Sequence, residues 1–331
     1  MKPRRGPALA IALLTAAFAS AGCGAGAGEE VGEASLTVSR DYGVERILGP
    51  AREPVEESDT VMRLLDREAE VSTRYGGGFV SSIEGLAEAV EDGRRYDWFF
   101  YVNGVEAPVG AAEFDLGGGE AVWWDYRAWT AASRVPAVVG SFPRPLAGGY
   151  EGRERPVALE CRGAGAACGL ARLRLRRAGV RVGAYDRYAN ANANAGREEG
   201  PPAAAGRPPA GAIRVLVGPW ARLRSDPAAA QLERGPQVSG VFAELVRSED
   251  GYGLVGVDED GQRARRFGRG AGIVAATRRN GAPPVWLLTG PTARGALAAA
   301  RSLDSAALRD RYAVAVEGDA QVPLPLPGGP R

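Results

Sequence analysis

The chain is most constrained between Tyr75 and Trp129, where aromatic residues and glycines fall in a fixed order. Tyr75-Gly76-Gly77-Gly78-Phe79-Val80-Ser81-Ser82-Ile83-Glu84-Gly85-Leu86 is followed by Tyr96-Asp97-Trp98-Phe99-Phe100-Tyr101-Val102-Asn103-Gly104, and then by Gly119-Glu120-Ala121-Val122-Trp123-Trp124-Asp125-Tyr126. Four of the six Trp residues lie between Trp98 and Trp129. Trp98 to Val102 and Val122 to Ala128 have strand composition, and Asn103-Gly104 predicts a tight hairpin turn because both positions tolerate positive φ. A strand shows its side chains alternately to two faces, so Trp98, Phe100 and Val102 oppose Phe99, Tyr101 and Asn103. One row must fill a core. The other is free either to cover a second layer or to meet a ligand.

The flanking segments predict a small sheet with a helix across it. Ala34 to Val38 alternates as a strand, Asp41-Tyr42-Gly43 reads as a turn, and a second strand runs through Arg46 to Leu48. Ser58-Asp59 supplies an N-cap for a helix from Thr60 to Glu70, with Val61, Leu64 and Leu65 on one face. Ser81 and Glu84 have capping-box spacing, which predicts a second helix running to Val90. Strands and helices in this order fit an α/β (α+β) chain whose N-terminal domain is β-grasp-like, over residues 34–130.

The ordered motifs resemble the C-terminal domain of transcobalamin and the bacterial domains grouped with it. The shared features are a glycine-aromatic loop before V-x-S-I-x-G-L, a W-x-x-x-x-N-G hairpin and a G-E-x-V-x-W-x-Y strand. In the eukaryotic carriers this domain covers one face of bound cobalamin, so the resemblance implies a ring-binding surface. Carried over by motif, that surface comprises Gly77, Gly78, Phe79, Val80 and Ser82, with Trp98 nearby. Tyr75, Tyr101, Trp123, Trp124 and Tyr126 complete the aromatic set. The carriers also have a large helical domain that this chain lacks, so its second domain or a partner would supply the other face.

The N-terminus indicates where the protein works. Lys2, Arg4 and Arg5 precede an apolar run from Ala8 to Phe18, too short to span a bilayer. Ser20-Ala21-Gly22-Cys23 reads as a bacterial lipobox, with Cys23 lipidated after removal of residues 1–22; the alternative is a plain signal peptide with an incidental cysteine. Residues 23–33 are then a flexible tether. The expected location is the outer face of the cytoplasmic membrane. Loss of the three leader cations leaves 38 basic against 40 acidic groups, which gives no electrostatic footprint for nucleic acid. The chain has no His, which removes triad chemistry, imidazole acid–base work and the commonest metal ligand. No enzyme activity and no resident cofactor or metal is expected; cobalamin enters only as a transported ligand. Cys161 and Cys168, separated by six small or flexible residues, form either a disulfide or a pair of buried thiols.

Pro136, Pro143 and Pro145 mark a linker over 131–154, beyond which residues 155–320 read as a mixed-sheet α/β domain. Strands are expected at 155–160, 213–218, 254–258, 285–289 and 312–316, with helices at 226–232 and 292–303. The Asn/Ala and Pro-rich tract at 189–212 reads as a disordered surface loop, and 321–331 as a Pro/Gly-rich tail. Glu259-Asp260-Gly261 is a hairpin turn. Thr289 to Gly295 joins a strand to a helix start, as an anion site or as simple capping. Trp220 either lines a cleft between the domains or packs as an edge aromatic. The functional expectation is a lipid-anchored binding protein for a small ring-bearing molecule, a corrinoid among the candidates, handing it to a membrane importer. The alternative is a surface interaction module that meets a protein or a cell-wall polymer. An aromatic-walled cleft between the domains favours the first, and a flat exposed aromatic patch favours the second.

Overall fold

The computed structural model describes residues 28–185 and 208–328. The leader, Cys23 and residues 189–207 of the expected loop lie outside the described residues. The chain begins with a long hairpin, β1 (Glu30–Arg40) and β2 (Glu45–Glu56), so the first strand takes up the end of the expected tether. Helix α1 (Val61–Glu68) follows. Its N-cap is Thr60, whose hydroxyl accepts from the Arg63 N–H at 3.3 Å, and not Ser58 or Asp59. Asp59 instead accepts the Glu56 N–H at 3.0 Å and pairs with Arg67 at 2.6 Å, tying the helix to the strand before it.

The helix expected at 81–90 is absent. That segment forms β3 (Val71–Arg74), β4 (Phe79–Ile83), β5 (Leu86–Ala87) and β6 (Ala89–Glu91). The Ser81 hydroxyl donates to the Ser72 carbonyl at 3.1 Å across the ladder, and the Glu84 carboxylate accepts the Glu70 N–H at 2.8 Å, so neither caps a helix. Glu84 and Gly85 both take positive φ (50° and 75°) between paired Ile83 and Leu86. They make a two-residue hairpin turn, the conformation that matches strand twist. Asp92-Gly93 does the same before β7 (Arg94–Val102), and Asn103-Gly104 before β8 (Val105–Glu106).

The last strand of this domain, β9 (Ala121–Ala128), runs parallel to β1 and antiparallel to β7, giving the order β2-β1-β9-β7-β6. A parallel pair of first and last strands with a helix crossing one face is the β-grasp arrangement. Asn103 is built in from both ends. Its carbonyl oxygen accepts the Ala121 N–H at 2.9 Å and its amide donates to the Gly149 carbonyl at 3.1 Å. Asn103→Ala loses both bonds and places a less tolerant residue at φ 53°. The expected cost is about 1–3 kcal/mol in a denaturant titration.

Residues 131–154 are not a loose linker. Ala131, Val135, Val138, Phe142 and Leu146 are buried, shared between the central core and that of the second domain. The second domain contains β10 (Val157–Cys161), α2 (Gly165–Arg177), β11 (Val182–Tyr185), β12 (Ile213–Pro219) and the short α3 (Trp220–Leu223). The helix expected at 226–232 is a 3₁₀ segment, Ala229–Arg234, followed by α4 (Pro236–Ser239). A small sheet of β13 (Ala243–Ser248), β14 (Gly251–Val257) and β15 (Arg263–Arg266) precedes β16 (Gly272–Thr277) and β17 (Val285–Gly290). Helices α5 (Ala293–Arg301) and α6 (Ser305–Leu308) lead to β18 (Ala313–Glu317) and β19 (Ala320–Leu324). The order β11-β10-β12-β17-β16-β18-β19 is parallel through β17 and antiparallel after it. The expected tail therefore contributes an edge strand. Cys161 and Cys168 are joined as a disulfide that ties β10 to α2.

The layers follow from strand alternation. Val215, Val217, Trp286 and Leu288 face α2 and α5, whereas Leu216 and Leu287 face the other way. On the β-grasp sheet, Trp98, Val102, Val122 and Trp124 face α1, whereas Tyr101 and Trp123 share a core with the second domain. Both sheets are thus buried on both faces where they meet. Gly43 sits at this junction with φ 78°, and a Cβ there would stand 2.1 Å from the Asp310 carbonyl oxygen, so the two domains touch backbone to backbone. Arg94 reinforces the contact by pairing with Glu259 at 2.6 Å and Asp260 at 2.7 Å. Among the described residues no helix is long and apolar enough to cross a membrane.

Candidate functional site

The residues singled out in the sequence fall into three places. Tyr75, Gly77, Gly78 and Phe79 form the tip of the β3–β4 hairpin. Tyr75 is 87% exposed and Phe79 37%, and their rings meet edge to face at 6.3 Å. Val80, Trp98, Trp124 and Tyr126 lie in the core under α1, with Ser82 half-buried in β4 beside them. There the Trp98 indole donates to the Leu86 carbonyl at 2.8 Å, Trp124 stacks on Phe100 at 4.7 Å, and the Tyr126 hydroxyl donates to the Ala87 carbonyl at 2.8 Å. Tyr101, Trp123 and Trp220 lie in the core between the domains. The aromatic set does not converge on one surface. Its second row is covered by the second domain, and Trp220 is a fully buried core residue, neither a cleft wall nor an edge aromatic.

The core between the domains holds the most unusual chemistry. Asp125 is fully buried. Its carboxylate accepts from the Ser39 hydroxyl at 2.5 Å, the Tyr312 hydroxyl at 2.9 Å and the Gly43 N–H at 3.0 Å. Burial raises its pKa to about 7, and these three bonds hold it from rising further. The Trp123 indole donates to the same Ser39 hydroxyl at 2.7 Å, and the Tyr101 and Tyr312 hydroxyls lie 3.2 Å apart. Burial pushes the Tyr101 phenol up to about 12, so it stays neutral. Arg127 is also fully buried and donates to the Ala128 and Ala132 carbonyls at 3.1 and 2.8 Å. The flat face of its guanidinium lies 3.7 Å from the centroid of the Phe99 ring. Every member is enclosed, so the cluster cements the junction.

The candidate ligand site lies on the far side of Phe99. Strand β7 pairs along its length with β9, but on its other edge β6 reaches only to Tyr96, and β8 begins to pair at Tyr101. Asp97 to Phe100 is therefore an open edge, where the Trp98 N–H is held by the Asp97 carboxylate at 2.8 Å. Pro136 and the turn between β16 and β17 stand opposite and close a cleft of about 670 Å³ between the two domains. Phe99 and Phe100, both half-buried, form its aromatic wall with the edge of Trp98. Its polar side chains include Glu106, Arg134, Arg278 and Arg279. The glycine loop stands at the rim rather than in the site: a Cβ on Gly110, two residues from the lining Pro108, would meet the Gly78 carbonyl oxygen at 3.3 Å. A second cavity of about 550 Å³ lies across the junction, where Trp123 and Phe142 meet charged residues such as Arg52 and Asp310.

Sequence reasoning named Trp98 as part of the site and placed Phe99 on a strand face, but it did not single out Arg134, Arg278 or Arg279. Arg278-Arg279-Asn280-Gly281 had a visible signal, since Asn-Gly after a strand marks a turn. That this turn faces Phe99 depends on pairings between residues far apart in the chain. The possible anion site before α5 is occupied by the chain itself: the Thr292 hydroxyl accepts the Gly295 N–H at 3.4 Å as the helix cap. Among the described residues no group of three or more Cys, Asp and Glu residues is placed to hold a metal ion.

In comparison with known proteins, residues 58–128, from just before α1 to the end of β9, match the model of a family described only as a domain of unknown function, DUF4430. That match covers well under half of the chain. No curated protein matches it. Among solved structures, one similar chain is a Ruminococcus gnavus protein whose description proposes metal binding. It is 11% identical, with a TM-score of 0.23 over 29% of this chain and 97% of its own.

Proposed function

We propose that this protein is a lipid-anchored, extracytoplasmic binding protein whose ligand is a small ring-bearing molecule held in the cleft between the β-grasp sheet and the second domain. The carrying observation is the aromatic wall of Phe99 and Phe100 in a cleft of about 670 Å³, within the range of roughly 300–1,000 Å³ usual for small-molecule sites. Flat aromatic walls bury ring surface at little entropic cost. The leader, the lipobox cysteine and the Cys161–Cys168 disulfide support an oxidising location outside the cytoplasmic membrane. Handover to a membrane importer is part of the same proposal, and corrinoids are one ring class to test.

The test is quenching of intrinsic Trp fluorescence in the full-length chain in detergent, titrated with cobalamin, cobinamide and flavins and corrected for inner-filter absorption. Trp98 borders the cleft and reports its occupancy. Saturable quenching is expected for at least one ring class. Phe99→Leu, which keeps the apolar fill and removes the flat face, is expected to weaken binding about fivefold, on the scale of roughly 1 kcal/mol for an aromatic contact. Its melting temperature is expected to fall modestly, because Leu also removes the ring stacked on the buried Arg127, so binding is compared well below the transition. If no ring compound saturates, the interaction-module reading takes its place.

A further inference from the structure

We infer that the cleft selects ring compounds bearing an anionic group, and that Arg279 is the residue that pairs with it. The inference rests on the ligand site proposed above and names the chemistry of its polar side. Three guanidinium groups line the cleft, against the single carboxylate of Glu106. Arg134 donates to Glu106 at 2.9 Å, so these two neutralise each other. Arg278 donates to Glu151 at 2.9 Å and to the Ala282 carbonyl at 2.7 Å, so it is both paired and held in place. Arg279, next to it on the turn, is exposed and has no carboxylate partner among the described residues.

A fourth cation acts from behind the wall. Arg127 lies over the ring of Phe99, 3.7 Å from its centroid, and Phe99 lines the cleft. It forms no salt bridge among the described residues, although the buried Asp125 and the Tyr101 hydroxyl of the same cluster feel its charge. The wall that would stack on a ring thus carries a fixed positive field, and the opposite lip carries an unpaired guanidinium. A planar ring against Phe99 with a carboxylate or phosphate turned toward Arg279 satisfies both. A cationic ring compound would face like charge from two sides, and a neutral one would leave Arg279 unpaired. Arginine also presents a planar fork suited to two-point contact with such oxyanions.

The experiment compares riboflavin with riboflavin 5′-phosphate, which share one ring system and differ by one phosphate. Binding to the full-length chain in detergent is read from flavin fluorescence. At low salt the phosphate form is expected to bind about fivefold more tightly, the upper range for a partly exposed ion pair, and the difference should shrink toward unity at about 0.5 M salt. Arg279→Gln is expected to remove most of the difference, read as the ratio of the two flavin affinities within the same variant. Arg176→Gln on α2, which does not line the cleft, is expected to retain it, separating local pairing from overall charge. Equal affinities in the parent, or discrimination kept in Arg279→Gln, would overturn the assignment while the cleft reading stands. Absence of saturable binding by both flavins would overturn the assignment, and the cleft reading falls with it only where cobalamin and cobinamide also fail to saturate.

Discussion

Asp226→Ala is expected to destabilise the fold by about 3–5 kcal/mol, the range for removing one partner from a buried ion pair. Asp226 and Glu160 face Arg162 and Arg214 at the centre of the second domain, two carboxylates against two guanidinium groups. Arg162 donates to Asp226 at 2.9 Å and to Glu160 at 3.0 Å, and Arg214 pairs with both acids. Both carboxylates and Arg162 are buried, so deleting Asp226 strands a positive charge where water cannot reach it. The backbone suffers too, because Asp226 caps the following turn by accepting the Ala228 N–H at 3.1 Å. Asp226→Asn should keep that cap and lose mainly the charge pairing, so it should fall between Ala and the parent in a denaturant titration. A loss below about 1 kcal/mol for both variants would show that the cluster behaves as a solvated surface pair. Burial alone would raise the pKa of Asp226 and Glu160, but the hydrogen bonds and charge of Arg214 outweigh it and hold both below the ordinary value. Their stabilisation is therefore present above the unfolded-state carboxylate pKa and is lost as pH falls through the depressed folded values.

Asp125 is expected to act with the opposite sign. Its folded pKa of about 7 stands above the ordinary 3.8, so the folded state binds the extra proton between these values. Its contribution is fully present below about pH 4 and is lost as pH rises through about 7. The gap corresponds to roughly 4 kcal/mol at most. Asp125→Asn keeps an oxygen for Ser39 and Gly43 and offers its amide to the Tyr312 oxygen, with no charge to desolvate. The variant is expected to match the parent near pH 4 and to exceed it by a few kcal/mol at pH 8 in denaturant titrations across that range. Identical pH slopes in parent and variant would mean that Asp125 is ionised in the folded protein throughout. Because Asp226 and Glu160 act at the acid end, the difference between the two proteins isolates Asp125.

The candidate site was only partly legible for a reason that these residues illustrate. Alternation along β7 and β9 shows that Trp98 and Tyr101 face opposite ways, but it says nothing about what covers each face. Asp125 looked like an ordinary acid in a strand, and its partners Ser39, Gly43 and Tyr312 lie 86, 82 and 187 residues away. The capping-box spacing of Ser81 and Glu84 was a real local signal that lost to another: Glu84-Gly85 turns a hairpin, and pairing with Val71–Arg74 satisfies more backbone groups than an isolated short helix would. Arg279 carried no signal of its own, since its meaning comes from the wall it faces.

What the amino-acid order determined by itself is local. Asn103-Gly104 at a hairpin, the α1 face of Val61, Leu64 and Leu65, the strands at 213–218 and 285–289 and the α+β class all follow from φ preferences and periodicity, whereas the sequence allowed either a disulfide or two thiols at Cys161 and Cys168. Tertiary structure decided which aromatics remained available. The second domain, together with the packed segment 131–154, covers the central part of one face of the β-grasp sheet and turns Tyr101, Trp123 and Trp220 into core. It stops short at the open edge of β7, and that edge, opposite a turn from a distant part of the chain, is where the cleft formed. Burial is a property of what packs against a residue, and long-range packing leaves no period in the sequence.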